Sequence, residues 1–267
     1  MSELPSIGIV TVATNRYLDY WFAMAQSAEQ HLFPDNDVVM HVFTDRVDDA
    51  QEMSRTLTRV KVDPIAIPAY GWPEATLLRY ELFDQHSHRL TEDVLVHLDA
   101  DMLLVQDVGQ ELDPSAWVNG IALVRHPGFR RPALAKRAEL YLRKPRLAAA
   151  DARLKVLVGG LGSWESDPES LACVPRELRK QYVCGGTWMG RAQELLAMIH
   201  ELAEHTRTDL DSGRIALWHD ESHLNWFASN NPTSILGSEY CFAPGYPNLT
   251  DLRPRIVAVD KGSARTR

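Results

Sequence analysis

Cysteine is scarce in this 267-residue chain, and the three present, Cys173, Cys184 and Cys241, form an odd set with no CxxC spacing. Neither a disulfide framework nor a cysteine zinc site is suggested on that ground, and a reducing cytoplasm fits best. No apolar run approaches the ~20 residues that a membrane span requires, and the opening MSELPSIGIV has no basic region followed by an apolar core. The sequon-like Asn248-Leu249-Thr250 is therefore read as accidental. Positive charge is in deficit as well: 28 Lys and Arg against 36 Asp and Glu give a formal net charge of -8. That speaks against a general polyanion binder and against nucleic acid as a partner, while leaving room for a local basic pocket for a phosphate inside an acidic envelope. No GxGxxG or Walker A pattern follows any early strand, so neither an ordinary dinucleotide fold nor a P-loop is supported. Internal repeats and low-complexity tracts are absent too.

What is present is an ordinary globular composition, 45% hydrophobic and 24% charged, enough for one large α/β domain or two small ones. Residues 6–13 (SIGIVTVA) read as a strand, and Leu18, Trp21, Ala25, Ala28 and Leu32 recur at helical spacing from Tyr17 to Phe33. VVMHVFTD is a second strand, residues 48–57 a helix, and VKVDPIAIPA an extended run interrupted by Pro64. Pro73 suits the first turn of a helix carrying Leu77, Leu78 and Leu82 toward His86, and VLVHL follows as a strand. This alternation predicts βαβ units and a mainly parallel sheet, whose ligands gather at the carboxyl ends of the strands. Residues 130–158, rich in Ala, Arg and Leu, read as two helices broken near Lys144-Pro145 and closed by Gly-Gly-Leu-Gly-Ser at 159–163. A surface helical hairpin is expected there, with a mobile lid as the alternative. QYVCGGTWMG precedes a long helix over about 191–206.

Two motifs carry chemistry. In LDAD, an extended chain would aim Asp99 and Asp101 to the same side, with small Ala100 letting a ligand approach. Two such carboxylates repel, and Mg²⁺ or Mn²⁺ would relieve the repulsion and bridge to phosphate oxygens, as in holding a nucleotide-sugar diphosphate. Asp-x-Asp also occurs by chance in loops; the apolar strand leading into this one is what marks it. His97 is read as a strand residue packed or hydrogen-bonded in the sheet rather than as a ligand.

The second motif is WHDESHLN, Trp218 to Asn225. His219 and His223, four apart, suggest a zinc hydrolase, but Asp220 stands where that chemistry needs Glu, Glu221 comes one position late, and no third ligand follows cleanly. A carbohydrate site uses the same groups otherwise: planar polar side chains for hydroxyls, an indole for C–H faces, and a carboxylate beside an anomeric carbon. An acidic helix N-terminus favoured by the macrodipole is the plainest account, and it requires neither the tryptophan nor the histidines. A non-catalytic sugar- or nucleotide-binding module is a further alternative.

WHDESHLN together with LDAD, VFTD (42–45), LLRYEL (77–82), RHPGF (125–129) and the CGG of YVCGGTWMG resembles glycosyltransferase family 6, with the motifs in family order from about Ile7 to Lys261. The resemblance implies a GT-A fold in a single domain: residues 1–106 as the nucleotide-binding half and 107–267 as the acceptor-binding half, with a helical insertion at about 130–163. It implies transfer of galactose or N-acetylgalactosamine from a UDP-sugar, with retention, in α1,3-linkage to a galactose-type glycan acceptor. Carried over residue by residue, Val12, Ala13, Thr14 and Tyr17 would cradle uridine, and Asp99, Ala100 and Asp101 would hold the diphosphate. The two aspartates would bind Mn²⁺ or Mg²⁺. Arg79 would touch the donor sugar and the aspartate pair, and Asp220 would bond donor hydroxyls. His126 and Trp218 would meet the acceptor, and Glu221 would be the nucleophile or ion-pair stabiliser and also an acceptor contact.

Cys184, Gly185 and Gly186 match the segment by which the family chooses its donor. Glycines there leave volume for a 2-acetamido group, a slight tilt toward UDP-GalNAc that Cys184, standing for the usual Leu or Met, weakens. Lys261 and Arg267, with Arg265 as a second candidate, match the basic tail that closes over the diphosphate; terminal disorder is the alternative. No counterpart of the family's membrane anchor is expected here, and the 130–163 region is expected to be longer than its relatives'.

Overall fold

A computed structural model describes residues 4–259 of the chain. Its strands are β1 (Ile7–Val12), β2 (Val38–Thr44), β3 (Val60–Ala66), β4 (Val94–Leu98), β5 (Met102–Leu104), β6 (Ile121–Arg125), β7 (Val183–Arg191), β8 (Ser234–Leu236) and β9 (Ile256–Ala258). The helices are α1 (Tyr17–His31), α2 (Val47–Ser54), α3 (Glu74–Leu77), α4 (Arg79–Gln85), α5 (Leu134–Arg143), α6 (Pro145–Arg153), α7 (Ala192–Asp211) and α8 (His219–Asn230). Seven strands form one sheet in the order β3-β2-β1-β4-β7-β6-β8, and β5 pairs with β9 in a separate ribbon. Within the sheet only β7 runs antiparallel to its neighbours, β4 and β6, so the expected mainly parallel α/β architecture holds. Because β4 and β7 are hydrogen-bonded neighbours, a single sheet runs through both halves of the chain.

Period-2 alternation splits the core. Val94, Val96 and Leu98 of β4, with Ala122 and Val124 of β6, face α1 on one side of the sheet. Leu95 of β4, with Ile121 and Leu123 of β6, faces α4, α7 and α8 on the other. Burial on both faces explains why these strands read as near-continuous apolar runs. A third, aromatic cluster of Trp164, Val174 and Tyr182, flanked by Phe129 and Trp226, lies under the end of the helical insertion.

Three local expectations need correction. Pro64 does not interrupt β3: the strand runs through it at the edge of the sheet, where the missing N–H breaks no internal ladder. Pro73 does not open one continuous helix; it precedes α3, and Leu78 (φ -92, ψ 4) separates α3 from α4. Residues 99–101 are not extended but form a turn closed by Met102 N–H donating to Asp99 O at 3.0 Å. The insertion does form two helices parted at Lys144, and since neither α5 nor α6 buries a residue it is a surface hairpin. Among the described residues no helix is long and apolar enough to cross a membrane. Lys261, Arg265 and Arg267 lie outside the described residues.

Candidate active site

Sheet order brings the predicted residues to one edge. β1, β4 and β6 end there, and antiparallel β7 begins there. Along that edge stand the segment with Val12, Ala13, Thr14 and Tyr17 after β1, the LDAD turn after β4, Gly185 and Gly186 at the start of β7, and His126 after β6. The β1 loop is pinned from within: Thr14 Oγ1 donates to Tyr70 O at 2.6 Å, and Asn15, with φ 54, takes its N–H to Asp45 Oδ1 at 2.8 Å.

Arg79, the first residue of α4 and 4% exposed, is the hub. Its Nη1 donates to Asp220 Oδ2 at 2.8 Å and to Gly185 O at 3.0 Å, and its Nη2 donates to Asp99 Oδ1 at 2.5 Å. One planar guanidinium thereby joins β4, β7 and α8, which a point-charge ammonium would not do. Burial alone would lower its pKa, but Asp220 and Asp99 more than reverse that and keep it charged. Tyr80 donates to Asp220 O at 3.3 Å.

Gly185 explains itself here: its N–H donates to Glu221 Oε2 at 2.8 Å, while its carbonyl accepts from Arg79 and from Trp188 Nε1 at 3.1 Å. A Cβ on Gly185 would lie 3.2 Å from Asp220 Oδ2 and 3.3 Å from Glu221 Cβ, so any side chain there would crowd the carboxylates by a few tenths of an ångström whatever the donor. At Gly186 a Cβ would come within 3.0 Å of Asp99 Oδ2.

Protonation follows from burial. Asp220 is pushed up to about 6, burial outweighing Arg79. Glu221 retains some exposure, yet burial raises it to about 7 against the opposing Gly185 N–H and the nearby Tyr182 hydroxyl. Glu221 is thus a carboxylate that titrates near neutrality, as groups at reacting centres often do. His126 accepts Gly128 N–H at Nδ1 (3.0 Å), and burial lowers it to about 4, so it is neutral with Nε2 as its donor. Its ring packs on Phe129 and Tyr182 at 4.9 and 5.6 Å. Trp218, exposed at the N-cap of α8, donates from Nε1 to Ser163 Oγ at 2.5 Å, which ties the octapeptide to the end of the insertion.

The histidines of WHDESHLN part company. His223 is buried with Nε2 3.7 Å from Asp209 Oδ2, and burial lowers it to about 4. His219, at φ 49, sets its ring edge-on to Trp72 at 5.5 Å. No group of three or more His, Cys, Asp or Glu among the described residues could hold a metal ion, and nothing favours the zinc hydrolase. A hard divalent cation does fit the LDAD turn by donor chemistry: Asp99 and Asp101 offer carboxylate oxygens, and Gly186 keeps clear the space over Asp99 Oδ2 that a Cβ would crowd. The remaining ligands would come from a diphosphate and water. His97 is a sheet residue, as expected: its Nδ1 donates to Val10 O at 2.9 Å and its ring stacks on Trp188 at 4.4 Å.

Sequence reading missed Asn225 and Tyr182. Asn225 Oδ1 accepts Val183 N–H at 2.8 Å, and its Nδ2 donates to Val183 O at 2.9 Å and to Glu221 O at 2.8 Å, locking α8 to β7. A buried amide four residues after Glu221 was the available signal, though its partner 42 residues away was not visible. Asn225→Ala is expected to cost about 2 kcal/mol or more, since it orphans buried backbone groups. Urea denaturation checks this, and a loss below about 0.5 kcal/mol would contradict the lock.

Residues 162–267 match the sequence model of glycosyltransferase family 6. The chain is 27% identical over 264 residues to the histo-blood group ABO system transferase 1 of Rattus norvegicus, covering 96% of this chain and 67% of that protein. It is 24% identical over 269 residues to the globoside alpha-1,3-N-acetylgalactosaminyltransferase 1 of Homo sapiens, covering 96% and 67%. To the human alpha-1,3-galactosyltransferase 2 it is 23% identical over 271 residues, covering 96% and 68%. With the resemblance of its motifs, these matches make the chain similar to the glycosyltransferases of family 6, through the family model over residues 162–267 and through the relatives over nearly its whole length.

Proposed function

We propose that this chain transfers galactose or N-acetylgalactosamine from a UDP-sugar to a galactose-type glycan in α1,3-linkage, with retention. The observation that carries the reading is the convergence of Asp99, Asp220 and Gly185 on Arg79, with Glu221 bonded to the next edge of the Gly185 peptide. The relatives' names, two of them alpha-1,3 transferases, supply the linkage and the two donor sugars.

Uridine would lie over Val12, Ala13, Thr14 and Tyr17, the diphosphate over the LDAD turn, and the donor sugar between Gly185, Gly186 and Asp220. A divalent cation held by Asp99 and Asp101 would neutralise the departing diphosphate. Arg79 holds Asp99 and Asp220 at fixed separation, and Asp220 bonds sugar hydroxyls. Ionised Glu221 forms the glycosyl-enzyme bond or stabilises the cation while the acceptor attacks from the same face. His126 and Trp218 frame the acceptor. The division of labour between 1–106 and 107–267 is one of ligands, since the sheet is shared. For the donor, the match of the Cys184, Gly185 and Gly186 segment to the family's donor-selecting segment supports a slight preference for UDP-GalNAc, to which the crowding of Gly185 by the carboxylates adds nothing. Val259 N–H donates to Asp101 O at 2.9 Å, which brings the last described residue to the LDAD turn. Free Cys184 and Cys241, both buried, accord with a cytoplasmic setting.

Incubation with a panel of UDP-sugars, with and without Mn²⁺, tests the proposal through UDP release. Turnover with UDP-Gal or UDP-GalNAc, stimulated by Mn²⁺ and reduced at least about a hundredfold in Asp101→Asn, is expected. Tight UDP binding with no turnover of any donor would instead make the protein a binding module.

A further inference from the structure

Beside the acceptor end of the site lies a second cavity, of about 350 Å³, enclosed by the end of the insertion and the segment leading into β7. Among the described residues its lining contains five cations, Arg125, Arg131, Lys155, Arg179 and Lys180, and no carboxylate. Among the described residues none of the five forms an ion pair. The polar bonds they do make are to neutral oxygens: Arg125 Nη2 donates to Gln181 Oε1 at 3.1 Å, and Arg179 donates to Val158 O at 2.7 Å and Val174 O at 2.8 Å. In a chain of net charge -8, the insertion from 130 to 163 carries nine Lys or Arg against two Asp or Glu. A solvated basic face is ordinarily convex and interspersed with acids; this one is concave and uncompensated.

The walls are built. Arg179 clamps the close of the insertion, at Val158, onto the loop before β7, and Gly159 (φ 88) makes the turn where a Cβ would collide with Arg176. The floor is shared with the candidate active site: Phe129 and Tyr182 line the cavity, both rings pack on His126, and the Tyr182 hydroxyl lies near Glu221. An occupant of the cavity is therefore adjacent to the acceptor sugar and separate from the donor.

We propose that this cavity binds an anionic group of the acceptor, a carboxylate on a neighbouring acidic sugar or a phosphodiester next to the receiving unit. The inference rests on the transferase reading for the word acceptor, while the anion site stands on the cavity itself. Several cations converging in a concave wall strengthen charge-assisted bonds to oxyanions, and the volume suits one charged unit rather than a whole oligosaccharide.

The test uses the full chain and Lys155→Glu/Lys180→Glu, two exposed positions whose reversal leaves the donor residues untouched. Three galactosides serve as acceptors: neutral, linked to a uronic acid, and linked through a phosphodiester. UDP release without acceptor reports the donor site, and calorimetric titration of the two anionic galactosides reports binding independently of turnover. The expected result is a KM at least about tenfold lower for one or both anionic acceptors than for the neutral one. The double variant should lose that advantage at unchanged donor hydrolysis and unchanged KM for the neutral acceptor. Which anionic compound is favoured identifies the source of the charge. If the anionic galactosides bind no better than the neutral one, or the reversal weakens all three equally, the anion site is wrong. If they bind in a salt- and variant-sensitive way but no UDP-sugar turns over, the transferase reading fails and the anion site survives.

Discussion

Replacing Glu221 by glutamine is expected to lower sugar transfer by about a thousandfold and at the same time to make the folded chain more stable above pH 7. The amide is isosteric and its oxygen can still accept the Gly185 N–H that Glu221 Oε2 now takes at 2.8 Å, so the local geometry is preserved. Its nitrogen would find the nearby Tyr182 hydroxyl, a buried group that makes no hydrogen bond of normal geometry among the described residues. What is lost is the negative charge beside the anomeric carbon. The stability gain follows from linkage. Burial lifts the Glu221 carboxyl from 4.5 to about 7, so the folded state holds its proton more tightly than the unfolded state does. Native stability therefore falls as pH rises from about 4.5 to 7, and the full cost, on the order of 3 kcal/mol, is present above 7. Glutamine carries no such cost. Unfolding at pH 5 and pH 8 should show the stability advantage of the variant widening with pH. In the wild type, kcat/KM should climb through about pH 7 as Glu221 ionises, a limb the variant lacks. A variant that transfers at near-normal rates while folded would remove Glu221 from the chemistry; one less stable than wild type at pH 8 would make it a structural anchor for β7.

Arg79→Ala is expected to act in the opposite sense on stability, destabilising by about 3 to 5 kcal/mol at neutral pH and abolishing transfer. The guanidinium is the partner of Asp220, whose side chain is 7% exposed, and of Asp99. Without it two carboxylates face each other in a desolvated site, and the Gly185 carbonyl loses one of its donors. Asp220 already titrates near 6 with Arg79 in place, so its pKa rises further in the variant and the penalty shrinks toward pH 5, where protonation relieves it. Arg79→Lys retains the charge but not three directed bonds, and should recover stability more than activity. Denaturation at pH 7 and pH 5 checks the sign: equal losses at both, or none at either, would mean that Arg79 does not hold the carboxylates together. The pair of variants is diagnostic because one removes a desolvated charge and the other its compensation.

The same contrast clarifies the donor-selecting segment. Room for a 2-acetamido group and room for Glu221 and Asp220 both favour glycine at 185, and the 3.2 Å approach to Asp220 Oδ2 makes the second preference independent of the first. Gly186 faces Asp99 instead. Donor preference is therefore a matter for the UDP-sugar panel rather than for the glycines alone.

By itself the amino-acid sequence determined the βα alternation, the mainly parallel sheet, the two-helix insertion and the chemical kinds of LDAD and WHDESHLN. Strands buried on both faces must be apolar throughout, helices must repeat at 3.6, and dense polar runs beside such strands stand out. Tertiary structure alone decided what those groups do to one another. Asp99 turns rather than extends because its N–H reaches Gly186 O, 87 residues away in the chain, as the β4–β7 pairing runs out into a turn. His219 and His223 separate because one meets Trp72 and the other Asp209. Arg79 joins positions 20, 106 and 141 residues away, and the five cavity cations are scattered between 125 and 180. Periodicity reports contacts within a turn or a strand pair, whereas protonation, aim and charge compensation depend on burial and on partners that only a folded chain brings within hydrogen-bond reach.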